Sequence, residues 1–282
     1  MKTSLRLLFM GVFFAIALLL PHPALASDAK PDPKPTEQST GKPALETLFG
    51  EINTLRDQAF QATNRGDFQS AETAWTKLID RLPENPALWS NRGNARVSQG
   101  KLDEAIADYN KAIELMPEAP DPYLNRGAAL EVQGKLDEAI ADYNHVLDLD
   151  SKDAAAYNNR GNAEGLKGDW DAALLDYRKA SLLAPDFAIA RVNSARAEFQ
   201  LGKIDESLRN LKNVVRKYPQ FADARASLTA VLWNKGRNDE AESNWVSVIE
   251  LDSRYKDIEW VRQVRRWPSS MSDALEKFLK LA

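Results

Sequence analysis

The side chains best placed to do chemistry in this sequence are four adjacent acid pairs, Asp103-Glu104, Asp137-Glu138, Asp205-Glu206 and Asp239-Glu240. Paired carboxylates can act as general acid and base. These pairs, however, recur at multiples of one fixed interval, and each directly precedes a small residue, Ala105, Ala139, Ser207 or Ala241, at the start of a helical pattern. Negative charge belongs there because it complements the helix dipole. The chain has no cysteine, and its two histidines are His22 and His145. Thiol nucleophiles, disulfide frameworks and Cys/His zinc sites therefore lack the atoms they need. The expectation is a protein that is not an enzyme and that uses no cofactor and no metal.

A second set of polar residues suits binding better. Asn91, Asn125, Asn159 and Asn193 recur at the same interval, and Asn94 and Asn162 follow shortly after two of them. A side-chain amide offers both donor and acceptor, so it can satisfy the backbone of an extended peptide without reading its sequence. The competing reading is that these amides bond locally. The formal charge is −4, and residues 1–26 contribute two cations and no anion, so the remainder is more acidic still. That balance argues against a general nucleic-acid binder.

The elements that must position these residues announce themselves as a period. Gly66, Gly100, Gly134, Gly168, Gly202 and Gly236 are evenly spaced, a glycine at every thirty-fourth position. Such regularity marks a repeat array. In that register the six repeats are 52–85, 86–119, 120–153, 154–187, 188–221 and 222–255. Position 20 is small (Ala71, Ala105, Ala139, Ala173, Ser207, Ala241) and position 24 is large (Trp75, Tyr109, Tyr143, Tyr177, Leu211, Trp245). A small residue lets two helices approach, and the large one a turn later fills the space beyond. Glycine at position 15 ends a first helix with positive φ, and proline at position 32 in four repeats (Pro83, Pro117, Pro185, Pro219) stops a second. Neighbouring helix pairs must stack to cover their apolar faces.

Trp89, Gly93, Ala105, Tyr109 and Pro117, followed one period on by Tyr123, Gly127, Ala139 and Tyr143, resemble the tetratricopeptide-repeat signature. The resemblance covers 52–255 within a repeat region taken as 44–255. It implies an all-α fold, a right-handed superhelical solenoid of six helix-turn-helix repeats closed by C-terminal capping helices over 256–282. It also implies that the first helix of each repeat lines a concave groove. The stripe at positions 2, 6, 9 and 13 points away from core positions 4, 7, 8 and 11, so the groove is expected to present Asn91, Asn94, Asn125, Asn159, Asn162 and Asn193. Arg196, Phe199 and Trp233 would join them, with Leu124, Val132, Leu166, Ile189 and Val192 as further apolar contacts and Arg56 as a second cation. The amide series is similar to the asparagine ladder of the superhelical repeats of O-linked N-acetylglucosamine transferases, which implies a protein client held as an extended segment. No lysine, asparagine and arginine constellation of the kind that clamps chaperone tails can be assembled.

The chain departs from the family at position 7, where leucine is usual and Arg92, Arg126 and Arg160 stand instead. The same three repeats alone carry aspartate at position 23: Asp108, Asp142 and Asp176. Two antiparallel helices turning about position 15 bring positions 7 and 23 level. Three partly buried ion pairs are expected.

In the tail, Trp260, Val264 and Trp267 follow helical spacing, Pro268 breaks it, and Met271, Leu275, Phe278 and Leu279 form another stripe, with Ser270 and Asp273 as a capping pair. Two readings stand: a cap on the open end of the solenoid, or a docking surface built from Trp260, Arg262, Arg265, Arg266 and Trp267, since Trp and Arg dominate interface hot spots. Arg265-Arg266-Trp267-Pro268, with the helical run that follows, is also similar to the ends of some tetratricopeptide proteins of cyanobacteria and chloroplasts. That resemblance implies a periplasmic or thylakoid-lumen address and work in complex assembly.

At the other end, Lys2 and Arg6 precede an apolar run from Leu7 to Leu20, then Pro21-His22-Pro23 and Ala24-Leu25-Ala26. This pattern predicts a signal peptide over 1–26, cleaved after Ala26. The alternative is an uncleaved anchor that tethers the solenoid as a spacer for other proteins, the one route to membrane contact. Residues 27–43, rich in proline and lysine and poor in apolar side chains, read as a disordered tether.

Overall fold

The computed structural model describes residues 42–281. The expected signal segment and most of the expected tether fall outside that range, and Lys42 and Pro43, read as the end of the tether, are helical. None of the described helices is long and apolar enough to cross a membrane.

Twelve helices form six antiparallel pairs: α1 (Lys42–Asn64) with α2 (Phe68–Arg81), α3 (Pro86–Ser98) with α4 (Leu102–Leu115), α5 (Pro120–Val132) with α6 (Leu136–Leu149), α7 (Ala154–Lys167) with α8 (Trp170–Leu183), α9 (Ala188–Gln200) with α10 (Ile204–Lys217), and α11 (Ala222–Asn234) with α12 (Asn238–Leu251). A 3₁₀ turn (Ser253–Lys256), α13 (Ile258–Gln263) and α14 (Ser269–Leu281) complete the described chain. Each pair packs on the next, and first helices touch first helices of neighbouring repeats (α3 on α5, α5 on α7, α9 on α11). The architecture is the all-α solenoid that the period predicts.

Sequence chemistry accounts for each joint. All six period glycines have φ between +70° and +92°, a region that costs other residues strain. The acid pairs Asp103-Glu104, Asp137-Glu138, Asp205-Glu206 and Asp239-Glu240 lie in the first turns of α4, α6, α10 and α12. The small side chains that follow them are fully buried, and the rings of Tyr109 and Tyr143 fill the inter-helix space. The fit is close. A methyl group built on Gly127 would come within 2.7 Å of the Tyr143 ring, and Gly93 stands in the same relation to Tyr109.

The tail is the part of the fold that the period did not foresee. Its α13 stops at Gln263, and Arg266 takes a left-handed conformation (φ 52°) that turns the chain before Pro268. Val264 and Trp267 therefore leave the helix that carries Trp260. Ser270 lies inside α14 and bonds through both its amide and its hydroxyl to Gln200, at 3.1 and 2.6 Å, instead of capping toward Asp273. Asp273 accepts from Arg262.

Candidate groove and its occupied half

The concave-lining helices bring the expected groove residues onto one surface, but in two different states. Among the described residues, neither Asn91 nor Asn125 makes a hydrogen bond through its side chain, and both are part-exposed. Val132 lies two turns beyond Asn125 on α5 and Leu166 is exposed on α7, whereas Leu124, expected as a groove contact, packs inward against the core around Leu130 and Val146. Asn159 accepts a bond from the Asn158 amide at 3.3 Å and keeps its own N–H groups unspent. The free face thus persists through repeats two to four.

Elsewhere the amides are engaged. Asn94 accepts from the Tyr109 hydroxyl at 2.7 Å and Asn162 from the Tyr177 hydroxyl at 3.0 Å, so each locks a core tyrosine rather than waiting for a ligand. Asn193 donates to Asn158 and Asn162 and accepts from Arg196. Buried tyrosine hydroxyls need partners, and position 9 lies closer to them than to the groove axis.

Arg196, Phe199 and Trp233 are not open groove contacts, because the tail covers them. Its α14 packs on α11 and α9, the first helices of repeats six and five. Phe278 meets the Trp233 ring edge-on at 5.4 Å and the Trp245 ring at 5.3 Å. The apolar face of α14 (Met271, Ala274, Leu275, Phe278) is buried with Phe199 in one continuous core. Arg196 is itself buried. It reaches Asp223 at 2.7 Å, bonds Ser227 at 3.0 Å and stacks its guanidinium over Trp267 at 4.3 Å. The tail therefore does both: the 3₁₀ turn packs on α12 and buries Tyr255 and Val261 with Val248 at the end of the stack, while α14 fills the concave face of the last two repeats.

For the same reason the residues read as a docking surface are spent internally. Arg265 pairs with Asp223 at 2.8 Å, and the Trp267 indole and the Tyr255 hydroxyl donate to the same carboxylate. Arg266 crosses to Glu131 on α5 at 3.1 Å. Arg262 holds Glu259, Asp273 and Glu276, and Trp260 packs edge-on against Tyr255. Buried carboxylates left without these guanidinium groups would be costly, so arginine beside tryptophan here serves self-recognition.

Two acids outside the periodic pattern hold the tail in place, Asp223 in repeat six and Glu131 in repeat three. Burial alone would raise the Asp223 pKa, but the facing guanidinium groups of Arg196 and Arg265 overcome it and hold the carboxyl far below its ordinary range. Glu131 behaves oppositely. Burial pushes it up to about 7 despite Arg266 and the Tyr143 hydroxyl. Glu164, partly buried and near Asp176, also rises to about 7. Aspartate stands at position 2 only in repeats three (Asp121) and six (Asp223), which makes no periodic signal, and the partners of Asp223 lie up to 44 residues away.

The position 7 arginines form a repeated unit. Arg92, Arg126 and Arg160 each grip their aspartate with two bonds, Asp108 at 3.0 and 2.7 Å, Asp142 at 2.8 and 2.6 Å, and Asp176 at 2.7 and 2.8 Å. Each also reaches back to position 25 of the preceding repeat: Thr76, Asn110 or Asn144. Each lies over the aromatic ring one helical turn earlier, Trp89, Tyr123 or Tyr157. These arginines stitch neighbouring repeats. In repeat five the polarity reverses: Arg178 at position 25 of repeat four pairs with the buried Glu198, which also accepts from Asn210.

With the fold and groove described, the class is that of superhelical helix-pair repeat proteins. A family model for "TPR repeat" matches residues 93–134 and 132–165, and one for "Tetratricopeptide repeat" matches 192–253. The chain is a tetratricopeptide-repeat protein. Among solved structures it is similar to a tetratricopeptide repeat protein from Parabacteroides merdae (21% identity, TM-score 0.59, covering 82% of this chain and 98% of that one). It is also similar to MamA (23%, 0.52, 60% and 93%) and to YrrB, described as having an unusual peptide-binding site (23%, 0.50, 64% and 93%). At these identities the likeness concerns the fold. No curated protein sequence matches the chain.

Proposed function

We propose that this chain is a binding scaffold whose open groove, on the first helices of repeats two to four, holds an extended segment of a client protein. The observation that carries the reading is the pair of unspent amides Asn91 and Asn125, one period apart on the same face, with part-exposed Val132 two turns beyond Asn125 and exposed Leu166 on α7. Amides so placed bond backbone groups, while the apolar neighbours take up alternate side chains. The peptide-binding site described for YrrB is in keeping with this use of the fold. The open stripe is bounded by Arg266, which takes Glu131 on α5 of repeat three, and by α14, which lies on repeats five and six. We further propose that the chain is exported by residues 1–26 and works in assembly of an envelope or thylakoid complex, as the tail resemblance implies. An intact Met1 on N-terminal sequencing of the native protein would point instead to the anchored spacer.

The test is a panel of immobilised unstructured peptides probed with the purified chain. Replacing Asn91 and Asn125 together by alanine should weaken binding at least tenfold across peptides of differing sequence while leaving the thermal midpoint unchanged. Unaltered binding by a fully folded double variant overturns the reading.

A further inference from the structure

The contact between α14 and repeats five and six has the form of a helix laid in a groove. One face of α14 (Met271, Ala274, Leu275, Phe278) is buried, while Asp273, Lys277 and Lys280 on the other are exposed. Its lead-in inserts Arg265, Arg266 and Trp267 against Asp223, Glu131 and the Arg196 guanidinium. Ser270 at the helix start is held by Gln200. The segment is joined to repeat six by a 3₁₀ turn and the short α13, and Arg266 is, among the described residues, the one non-glycine residue with positive φ. A junction of that kind can open without unwinding any repeat helix.

We propose that the concave face of repeats five and six, extended by Glu131 of repeat three, is a second, helix-specific binding surface, and that residues 264–281 are its resident occupant. Its external partner is an amphipathic helix of another protein with apolar residues at i, i+3, i+4 and i+7, led in by arginine and an aromatic residue. The chemistry of recognition is fixed by what the groove offers: Phe199, Trp233 and Trp245 take the apolar face, and the carboxylates of Asp223 and Glu131 take the arginines. Helix-in-groove recognition of this kind reads anchors at those spacings. Because the resident helix is tethered, it competes at an effective concentration of order millimolar, which masks the surface from weak partners. The surface shares no residue with Asn91 and Asn125, so either site can fail without the other.

The test uses the full chain and, as probe, a fluorescein-labelled synthetic peptide with the sequence of residues 258–281. Binding is followed by anisotropy for wild type, for Arg265→Ala with Arg266→Ala, and for Phe278→Ala, with circular dichroism checking that each remains helical. Both loosened variants should bind the peptide at least tenfold more tightly than wild type. Adding Trp233→Ala should remove that gain, whereas adding Asn91→Ala with Asn125→Ala should not. Equal affinities within twofold, or no binding to either folded variant, would make α14 a permanent wall and overturn the proposal. A loosened variant that dimerises by light scattering and leaves the peptide unbound would overturn it in favour of a second copy as partner.

Discussion

Cutting one stitch of the repeat array gives the most quantitative check on how the solenoid is held together. Asp142 is 8% exposed at its side chain and Arg126 23%, and they share two bonds of 2.6 and 2.8 Å. Hydrogen bonds to charged groups contribute about 1.5–3 kcal/mol each in favourable settings, but a partly wet pair falls short of the ~3–5 kcal/mol lost on breaking a fully buried one. Asp142→Ala leaves Arg126 with Asn110 and the Tyr123 ring, one of them charge-neutral and the other a modest cation–π contact. A loss of about 2 kcal/mol is expected for this variant. Arg126→Leu strands the better-buried Asp142 carboxylate and should cost about 3 kcal/mol. If the two act as a pair, the double variant should be less destabilised than the sum by about 2 kcal/mol. The assay is urea unfolding of all four proteins at neutral pH, with m-values compared, since repeat arrays can lose cooperativity. Additivity within about 0.5 kcal/mol would refute the pairing argument and return the arginines to the partner.

Other expectations follow from close contacts and buried acids. Gly127→Ala puts a methyl 2.7 Å from the Tyr143 ring, and should destabilise by about 1–3 kcal/mol in a thermal or urea melt. Phe278→Ala removes a fully buried ring packed between Trp233 and Trp245, which should cost about 3–5 kcal/mol and raise hydrogen exchange through residues 269–281. Glu131, with its pKa raised to about 7 in the fold, binds its proton more tightly folded than unfolded. Its contribution is fully present below the ordinary carboxylate range and is lost as pH rises through about 7. Stability measured by urea unfolding should therefore fall from pH 5 to pH 8, and Glu131→Gln should flatten that slope by about 1–2 kcal/mol.

The repeat half of this molecule was legible because each rule acts within a single repeat: glycine at a left-handed turn, small against large at positions 20 and 24, acid at a helix start. The arginine and aspartate relation could be read for the same reason, since one pivot places both. What the sequence withheld is long-range. Asn94 and Asn162 share the stripe with Asn91, yet the hydroxyls of Tyr109 and Tyr177 on the second helices claim them. That choice depends on the inter-helix spacing, not on the stripe. Arg196, Phe199 and Trp233 read as groove contacts, and they do line the concave face, but the chain supplies its own ligand for that face. Nothing periodic forecasts a tail that folds back to Glu131, 135 residues earlier. The one sign was chemical: two tryptophans and three arginines in a stretch with no repeat partner.

The division of the concave face into an open and an occupied half is tested most directly by photo-crosslinking. A benzoyl-phenylalanine replacing Asn125, and separately one replacing Gln200, would be introduced into the full chain and irradiated in the native host. The account predicts that the Asn125 probe joins the chain to another polypeptide, whereas the Gln200 probe yields an internal link to residues 269–281, identified by mass spectrometry. An Asn125 probe that captures nothing, together with a Gln200 probe that joins another protein and leaves the tail untouched, would contradict it.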